Sequence, residues 1–272
     1  MLAAQVDLLE QREIARRFYE EDDEQRWGRT HIPEVAEVIQ RLLTTSSKGS
    51  CAVVLELGCG RGAFRHLAAA CRYVALDLSG NVLRRYIRPS LAVQADMESI
   101  PLASDSVDLV FSVCALEHVP QPSRALLEIH RVLRPGGAAL LAPAWFCRDW
   151  AAKGLPIRSY SELSTADKFR KALIPLRNSL LWRSAFVLPR RLGREMRFLM
   201  RPRTWRMRYK QLQPNFREYV YTDGDAACSL DPHEVVLFFR RWGYNSSGAK
   251  TLRERLALRH APLTLLKPAV TP

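Results

Sequence analysis

Several features are missing from this 272-residue chain, and each absence argues against a class of protein. No run of 18 apolar residues occurs, so the sequence offers no candidate membrane span. The first ten residues have neither a basic start nor an apolar core, which argues against a secretory signal. Internal repeats and low-complexity linkers are also missing. A hydrophobic content of 47% is ordinary for a globular chain, so we do not expect wholesale disorder.

The six cysteines show no Cys-x-x-Cys spacing, and several of them lie within apolar runs. Cysteines of this kind are usually reduced and buried in the core. We therefore expect no metal site and a cytoplasmic location.

The most informative stretch covers residues 53–64. An apolar run ends in Glu56, and three glycines then alternate with other residues at Gly58, Gly60 and Gly62 before a helix-like pattern begins. This order predicts a buried parallel strand that enters a tight turn, whose backbone must lie against a ligand.

Two kinds of cofactor fit this glycine loop, because residues 58–63 also match the dinucleotide pattern G-x-G-x-x-G/A. A dinucleotide places its pyrophosphate at the helix N-terminus, where the nearby Glu56 would repel it. S-adenosylmethionine (AdoMet) carries an ammonium and a sulfonium that a carboxylate attracts, and its own carboxylate can use the loop amides and the helix dipole. We therefore favour AdoMet over a dinucleotide, and either over a glycine-rich turn without a ligand.

Four more strand-like runs follow the glycine loop, at residues 73–78, 91–95, 106–113 and 138–142. A helical pattern over residues 123–133 lies between the last two runs, and Arg134–Gly137 predicts a turn with a positive-φ position. Strands that alternate with helices predict an α/β fold with a parallel sheet and right-handed crossovers.

Five motifs in this order resemble the small-molecule branch (type 11) of the class I AdoMet-dependent methyltransferases: E-L-G-C-G-R-G, L-D, A-D-M, L-E-H-V and L-R-P-G-G. The resemblance covers residues 51 to about 143. It implies a Rossmann-like seven-stranded sheet with a helical N-terminal cap (1–45), an AdoMet-binding core (46–145), a basic helical insert after strand five (146–218) and a C-terminal completion of the core (219–272).

The resemblance also implies roles for single residues. Gly58, Gly60 and Gly62 let the backbone pass close to the methionine moiety of AdoMet, and Glu56 anchors its ammonium. Asp77, at the end of the second strand, accepts both ribose hydroxyls, since its two oxygens can bind a diol.

Further along the chain, Asp96 accepts from the adenine amine and Met97 lies against the ring, although Asp96 could instead cap a turn. Leu116, Glu117 and His118 follow the fourth strand and lie beside the methyl group. Glu117 could equally be a solvated loop acid.

His118 is a tentative catalytic residue. Methyl transfer is an in-line displacement on an activated carbon, so positioning and desolvation can supply most of the rate. A base is needed only if the acceptor loses a proton early, as a hydroxyl or an acidic carbon does. His118 stands where such a base could act, and a structural role or a contact with AdoMet stays open.

The positive charge is concentrated in one segment. Residues 168–210 hold fourteen Lys and Arg against a single acid, Glu195, so their net charge of +13 equals that of the whole chain. Pro189 fits the first position of a helix. At 100° per residue, the helix then carries a basic stripe of Arg190, Arg194, Arg197 and Arg201, with Leu192, Met196 and Leu199 on the roughly opposite face.

Three interpretations of the basic insert stay open. A helix with basic and apolar faces suits an anionic membrane surface, which would place the protein peripherally on the inner face of a membrane. Clustered arginines with aromatic residues suit nucleic acid. The third interpretation is a cap with a solvated basic face. Nucleic acid is less favoured, because the residues after strand four read L-E-H-V and lack the Pro-Pro-Tyr or Pro-Cys patterns of base methylation.

Near the C-terminus, Asp231 and Pro232 predict a helix start and Gly243 its end. Residues 244–253 and 261–268 predict the last two strands, as an antiparallel hairpin. A short run around residues 219–244 is similar to a segment of methyltransferases of bacterial cell-envelope sugar and lipid assembly. Three residues of this region could face the acceptor or simply turn the chain: Asp223, Asp225 and His233.

Near the N-terminus, Trp27 and His31 could close over AdoMet, or they could have only a packing role.

The motifs predict an AdoMet-dependent methyltransferase that acts on a hydroxyl or carbon of a small-molecule, lipid-linked or cell-envelope sugar intermediate. An RNA methyltransferase that uses the basic insert, or a non-catalytic scaffold with the methyltransferase fold, is the alternative.

Overall fold

A computed structural model describes residues 2–21, 32–45, 52–88, 91–216 and 223–269. Its strands are β1 (Val53–Leu57), β2 (Arg72–Asp77), β3 (Ala92–Gln94), β4 (Val107–Val113), β5 (Leu133–Ala142), β6 (Lys210–Gln211), β7 (Cys228–Ser229), β8 (Asn245–Ser246) and β9 (Leu263–Leu266). Seven of them form one sheet in the order β3-β2-β1-β4-β5-β9-β8. The first five strands in this order are parallel, and β9 is antiparallel to both of its neighbours. This confirms the predicted Rossmann-like sheet. Strands β6 and β7 pair separately.

The helices are α1 (Leu2–Glu20), α2 (Pro33–Thr45), α3 (Gly80–Tyr86), α4 (Pro122–Val132), α5 (Thr165–Ala172), α6 (Ile174–Asn178), α7 (Leu180–Trp182), α8 (Leu188–Met200), α9 (Pro232–Arg240) and α10 (Leu252–Ala257). Within the described residues, no helix has both the length and the apolar character needed to cross a bilayer.

The central strands are buried on both faces, as their near-continuous apolar runs require. On one face, Leu126 and Ile129 of α4 pack against the sheet. On the other face, Val35 and Ile39 of α2 pack against it. Helix α2, which lies in the predicted N-terminal cap, is therefore a layer of the core. The carboxyl ends of β1, β2 and β4 meet at one edge of the sheet, where open α/β sheets bind ligands.

The helix expected after the glycine loop is shorter than its pattern suggests. Only one turn of 3₁₀ helix forms there, Arg65–Ala68. The glycine loop occupies the chain up to Phe64, and β2 already begins at Arg72, so few residues remain for a helix. The expectation that a helix N-terminus faces the ligand is therefore wrong.

The predicted turn at Arg134–Gly137 forms inside a strand. Leu133 pairs with Val107, whereas Ala138 pairs with Leu109, so the turn bulges out opposite Asp108. The backbone of Gly136 in this bulge is left-handed, with φ of 79°.

The C-terminal segment follows the prediction only in part. Helix α9 begins at Pro232 as expected, and the backbone of Gly243 beyond its end is left-handed. Strands β8 and β9 pair antiparallel, but the predicted strand over 244–253 is reduced to Asn245–Ser246. Thr251 and Glu254 form a capping box that starts α10 instead.

Among the described residues, Cys59, Cys114, Cys147 and Cys228 are free thiols. Cys59, Cys147 and Cys228 are buried, whereas Cys71 and Cys114 are partly exposed. Cys51 lies outside the described residues.

Candidate active site

The glycine loop leaves β1 in a conformation that other residues rarely adopt. Gly58, Gly60 and Gly62 have φ angles of 68°, 49° and 71°. A Cβ atom added to Gly58 would lie 2.4 Å from the Cβ of Ala115, on the loop after β4. The amide of Gly58 donates to the carbonyl of Leu76 at 2.8 Å, which holds the loop against the end of β2. Glycine is therefore required for the backbone to lie this close to the sheet edge.

Asp77 ends β2 with a buried carboxylate. One oxygen accepts the amide of Gly60 at 2.8 Å, and the other accepts the amide of Ser79 at 2.9 Å. Burial raises the pKa of Asp77, and the two backbone hydrogen bonds oppose that change. Each carboxylate oxygen can accept a further hydrogen bond, so the side chain can still bind a diol.

Glu56 lies beside Asp77 in β1 and is also buried. The hydroxyl of Tyr73 donates a hydrogen bond to its carboxyl group. Burial raises the pKa of Glu56 to about 8, although the Tyr73 hydrogen bond opposes it, and the charge of Asp77 adds to the rise. Because a nearby cation favours the ionised form of a carboxyl, an ammonium bound here would reverse this change.

A cavity of about 350 Å³ opens above these residues. Its walls come from the glycine loop, the ends of β1, β2 and β4, helix α1, and the chain just before β7. They include Arg12, Phe18, Tyr19, Glu56, Gly58, Gly60, Asp77, Asp96, Met97, Glu117, His118, Asp223 and Asp225.

Helix α1 is fastened over the cavity at its middle and at its C-terminal end. In the middle of the helix, Arg12 forms an ion pair with Glu98 and lies 3.7 Å from Asp96. At its end, the carboxylate of Glu20 accepts the amides of Gly80 and Asn81, at 2.9 and 3.0 Å. Helix α1 therefore lies over the cavity. Trp27 and His31, the predicted lid residues, lie outside the described residues.

Asp96 and Met97, the residues predicted to contact adenine, lie in the cavity wall. Asp96 also accepts the amide of Glu98 at 2.8 Å, so it caps a turn while facing the cavity. Met97 lines the same wall.

Two predicted cofactor residues do not line the cavity. The side chain of Leu116 is buried in the hydrophobic core among helices and strands of the sheet. Gly62 lies against Ile87, whose Cδ1 would be 2.6 Å from an added Cβ, so close packing with α3 requires this glycine. Both residues therefore have a packing role, and their predicted contact with the cofactor stays a prediction.

A histidine and several carboxyl groups meet at the end of β4. The Nδ1 atom of His118 lies 3.4 Å from an oxygen of Asp225, and its Nε2 atom lies 3.9 Å from Glu117. The hydroxyl of Tyr19 donates to the same oxygen of Asp225 at 2.8 Å. Asp223 lines the cavity beside them. We call these five residues the acceptor cluster.

Glu117 is fully buried, so its interpretation as a solvated loop acid is wrong. One oxygen accepts the amide of Ala144 at 3.0 Å, and the other has no hydrogen-bond partner among the described residues. Burial raises the pKa of Glu117 and of Asp223. Burial alone would lower the pKa of His118, but the carboxylates of Asp225 and Glu117 raise it above its usual 6.5.

His233 does not reach this cluster, although it was a candidate for it. It is fully buried on α9, where its Nε2 lies 3.1 Å from Glu195 of α8. Tyr19 and Arg12 are the cavity residues whose polar contacts sequence reasoning missed. No local signal reveals them, because their partners lie far away in the chain.

The predicted arginine stripe on α8 is only partly exposed. Arg194 pairs with Asp231 at 2.5 Å and with Glu234 at 2.9 Å, so its place in a free basic stripe is wrong. Arg191 is fully buried and also pairs with Asp231, at 2.7 Å. The other three members, Arg190, Arg197 and Arg201, are exposed.

The donor set fits AdoMet better than a dinucleotide. Asp77 and Glu56 form no ion pair within the described part of the chain, and Arg12, which also lines the cavity, pairs with Glu98 and Asp96 instead, so these two carboxyl groups have no balancing cation. A cationic ligand with a ribose diol complements this wall, whereas a pyrophosphate would be repelled. The 3₁₀ turn at Arg65–Ala68 also offers no helix N-terminus to a pyrophosphate.

Comparison with known proteins agrees with this geometry. A family model described as "Methyltransferase domain" matches residues 55–141. The malonyl-[acyl-carrier protein] O-methyltransferase of Enterobacter lignolyticus is 43% identical over 89 residues, which are 31% of this chain and 36% of that protein. The enzyme of the same name from Pectobacterium atrosepticum is 39% identical over 109 residues, 38% of this chain and 43% of that protein. The chain thus spans less than half the length of these curated relatives.

Among solved structures, an AdoMet-bound amino pentose methyltransferase of Micromonospora echinaspora is 27% identical, with a TM-score of 0.37, over 42% of this chain and 50% of that one. Residues 55–141 belong to the methyltransferase domain family, and the core of this chain is a class I AdoMet-dependent methyltransferase domain. The cofactor of this domain is AdoMet, as the motifs predict. The roles of the single residues stay predictions.

Proposed function

We propose that this protein is an active AdoMet-dependent methyltransferase whose acceptor is a neutral hydroxyl or an acidic carbon. The acceptor belongs to a small-molecule, lipid-linked or cell-envelope sugar intermediate. One observation carries this proposal: the acceptor cluster and the glycine loop with Asp77 line the same cavity. Both halves of a methyl transfer can therefore meet in one cavity.

Bound AdoMet supplies a methyl group on a positively charged sulfur, already activated for in-line displacement. Asp77 and Glu56 position the cofactor, and α1 excludes water by covering the cavity. Asp225 holds Nδ1 of His118, which leaves Nε2 to take the proton of an acceptor hydroxyl. On transfer, the acceptor oxygen would form a bond to the methyl carbon as the sulfur–carbon bond breaks, with S-adenosylhomocysteine as the leaving group, and His118 would then pass its proton to solvent.

The charge of the acceptor cluster favours a neutral acceptor. Burial already raises the pKa of Glu117 and Asp223, so this part of the cavity resists added negative charge. A free carboxylate, such as a malonyl group carries, would bring another anion beside them. A hydroxyl avoids this repulsion and can use His118 as its base.

The proposal is tested by incubating the protein and AdoMet with a tritiated methyl group separately with lipid, glycan and RNA fractions. The measurement is the tritium transferred to each fraction. We expect label in the lipid or glycan fraction that survives mild alkali, because methyl ethers and C-methyl groups resist hydrolysis and methyl esters do not. The variant His118→Asn serves as the low-activity control. Alkali-labile label would show a carboxylate acceptor, and label in RNA alone would overturn the acceptor class.

Binding of S-adenosylhomocysteine without transfer to any fraction would favour the non-catalytic scaffold. A lipid-linked acceptor also agrees with the peripheral location at an anionic membrane that we propose for this protein. That location depends on the basic insert, and its surface carries the inference that follows.

A further inference from the structure

Exposed apolar side chains are concentrated on the basic insert. Of the sixteen large apolar side chains that are exposed in the described residues, ten lie between Phe169 and Met200. Five of them follow one face of α8, which we call the apolar face: Leu188, Leu192, Met196, Leu199 and Met200. Leu199 and Met200 are 67% and 70% exposed. Isolated exposed leucines are ordinary, but a continuous face of them usually marks a contact surface.

Helix α8 cannot turn to bury this face, because another face already anchors it. Arg191, Glu195 and Phe198 are buried against the rest of the molecule. Glu195 accepts two hydrogen bonds from Arg255 of α10, at 2.7 and 2.9 Å, and Arg191 pairs with Asp231. These buried ion pairs fix the rotation of the helix about its axis, and the apolar face stays outward.

Arginines lie beside the apolar face. At 100° per residue, Arg190 and Arg197 lie on the third side of α8, between the buried face and Met200 at the edge of the apolar face, and Arg201 follows the last turn of the helix. All three are exposed, and within the described ranges none of them forms an ion pair. We call them the outer arginines. Helix α8 thus has a buried face, an apolar face and a basic edge.

A shallow groove extends the apolar face toward the C-terminal segment. It has a volume of about 520 Å³ and is lined by Leu188 together with Leu252, Arg253, Leu256 and Ala257 of α10. The groove shares Leu188 with the apolar face, so apolar surface continues from α8 onto α10.

We infer that this surface binds an anionic lipid bilayer, with the apolar face at the level of the headgroups and the outer arginines on the phosphates. Surfaces of this kind combine apolar insertion with attraction to anionic lipid. A second copy of the chain is a poorer partner, because two segments of net charge +13 would face each other. Nucleic acid would satisfy the arginines but would leave the leucine and methionine side chains without a partner.

The inference deepens the proposed membrane location and involves none of the cavity residues. Flotation of the full chain with vesicles of phosphatidylglycerol and phosphatidylcholine tests it. The wild type should float at low salt, progressively less as salt rises, and not with phosphatidylcholine alone. Replacing the outer arginines together (Arg190→Gln, Arg197→Gln, Arg201→Gln) should lower the partition coefficient at least about tenfold.

Two matched controls separate this surface from general charge and apolarity. Arg41→Gln, Arg72→Gln and Arg88→Gln remove the same charge from exposed sites outside the insert and should change binding less than about twofold. Leu192→Ser, Met196→Ser and Leu199→Ser should weaken binding, whereas Ile14→Ser with Leu127→Ser should not, although both of those side chains are exposed as well. Unchanged affinity for S-adenosylhomocysteine checks that each variant is folded.

Several outcomes would overturn the inference. Failure of anionic vesicles to retain the wild type at low salt is one, and equal flotation of the arginine variant and its control variant is another. A dimer that the serine variant dissociates, without flotation, would assign the surface to a second copy, and an RNA shift without flotation would assign it to nucleic acid. Methyl transfer to a dispersed acceptor, measured without vesicles, reports separately on the proposed function.

Discussion

The hydroxyl of Tyr19 donates a hydrogen bond of 2.8 Å to the same oxygen of Asp225 that lies 3.4 Å from Nδ1 of His118. Tyr19 and Asp225 are 206 residues apart in the chain. The contact ties helix α1 to the segment before β7 directly over the acceptor cluster. Asp225 therefore contacts both Tyr19 and His118, and the hydrogen bond from α1 helps to orient its carboxylate.

Replacing Tyr19 with Phe should loosen this arrangement without removing a group that binds the cofactor. A buried hydrogen bond to a charged group is worth about 1.5–3 kcal/mol, so we expect kcat/KM to fall by about tenfold or more. Affinity for S-adenosylhomocysteine, measured by isothermal titration, should change by less than about threefold, a shift below 1 kcal/mol. Phe18→Leu, at a neighbouring buried position of the same cavity wall, controls for a general effect of altered packing between α1 and the cavity. Equal losses in both variants would contradict a specific role for the hydroxyl.

The pH dependence of methyl transfer should report on His118. Its pKa is raised by Asp225 and Glu117 against the effect of burial, so the neutral base becomes populated only above the usual 6.5. The rate should therefore rise with pH through this raised pKa. Asp225→Asn removes one of the carboxylates that raise it, so the rising limb should move to lower pH while the maximal rate falls.

The profile of kcat/KM against pH for three proteins, the wild type, Asp225→Asn and His118→Asn, checks this expectation. His118→Asn should lose the limb altogether. A wild-type profile that stays flat across neutral pH would show that no base is used in the rate-limiting step.

The parts of the site that depend on local sequence could be predicted. A cofactor loop and the acid after a parallel strand have characteristic neighbours in the chain, so the glycine loop, Asp77 and the segment from Glu117 to His118 were found at the edge of the sheet where the structure places them. Contacts made by tertiary folding have no such signal. The pairing of Tyr19 with Asp225 and that of Arg12 with Glu98 join distant segments.

Helical periodicity had a similar limit on α8. It correctly placed the arginines and the leucines on different faces, but it does not say which face meets the core. The helix buries Arg191 and Glu195, which are polar, because Asp231 and Arg255 on neighbouring segments pair with them. An apolar face was left outside as a result. Charge complementarity across 40 to 60 residues of chain decided the orientation.

Glu56 should couple cofactor binding to pH. Its carboxyl has a pKa of about 8 in the folded protein, against 4.5 as the usual value. At neutral pH it is therefore mostly protonated until an ammonium binds beside it. Affinity for S-adenosylhomocysteine should rise between about pH 6 and 8.5, and binding should release a proton. In Glu56→Gln the affinity should be weaker and nearly independent of pH over this range.

The raised pKa of Glu56 also predicts how the stability of the protein changes with pH. Between its usual and its folded pKa, Glu56 binds more protons in the folded than in the unfolded state, so the free energy of unfolding of the ligand-free protein should fall as pH rises from about 4.5 to 8. Glu56→Gln should lessen this fall, because an amide does not ionise. Urea unfolding at several pH values measures it. If the free energy of unfolding falls equally with pH in the two proteins, the raised pKa of Glu56 is contradicted.

Gly58 should tolerate no side chain, and Gly136 provides a matched control. Both have left-handed backbones, with φ of 68° and 79°. Alanine in this conformation costs roughly 1–2 kcal/mol on its own. An added Cβ at Gly58 would also lie 2.4 Å from Ala115, whereas at Gly136 no atom lies within 4 Å. Gly136→Ala should therefore lose only the backbone contribution and keep its affinity for S-adenosylhomocysteine.

Gly58→Ala adds a steric overlap to the same backbone strain, and relief of that overlap must move the glycine loop or the segment that carries Ala115. We expect an additional loss of about 1–3 kcal/mol in the free energy of unfolding and a fall of at least about tenfold in affinity for S-adenosylhomocysteine. The double variant of Gly58→Ala with Ala115→Gly removes the overlapping methyl group and should recover most of the lost affinity. If the double variant binds no better than Gly58→Ala, the close approach of these two residues does not position the loop.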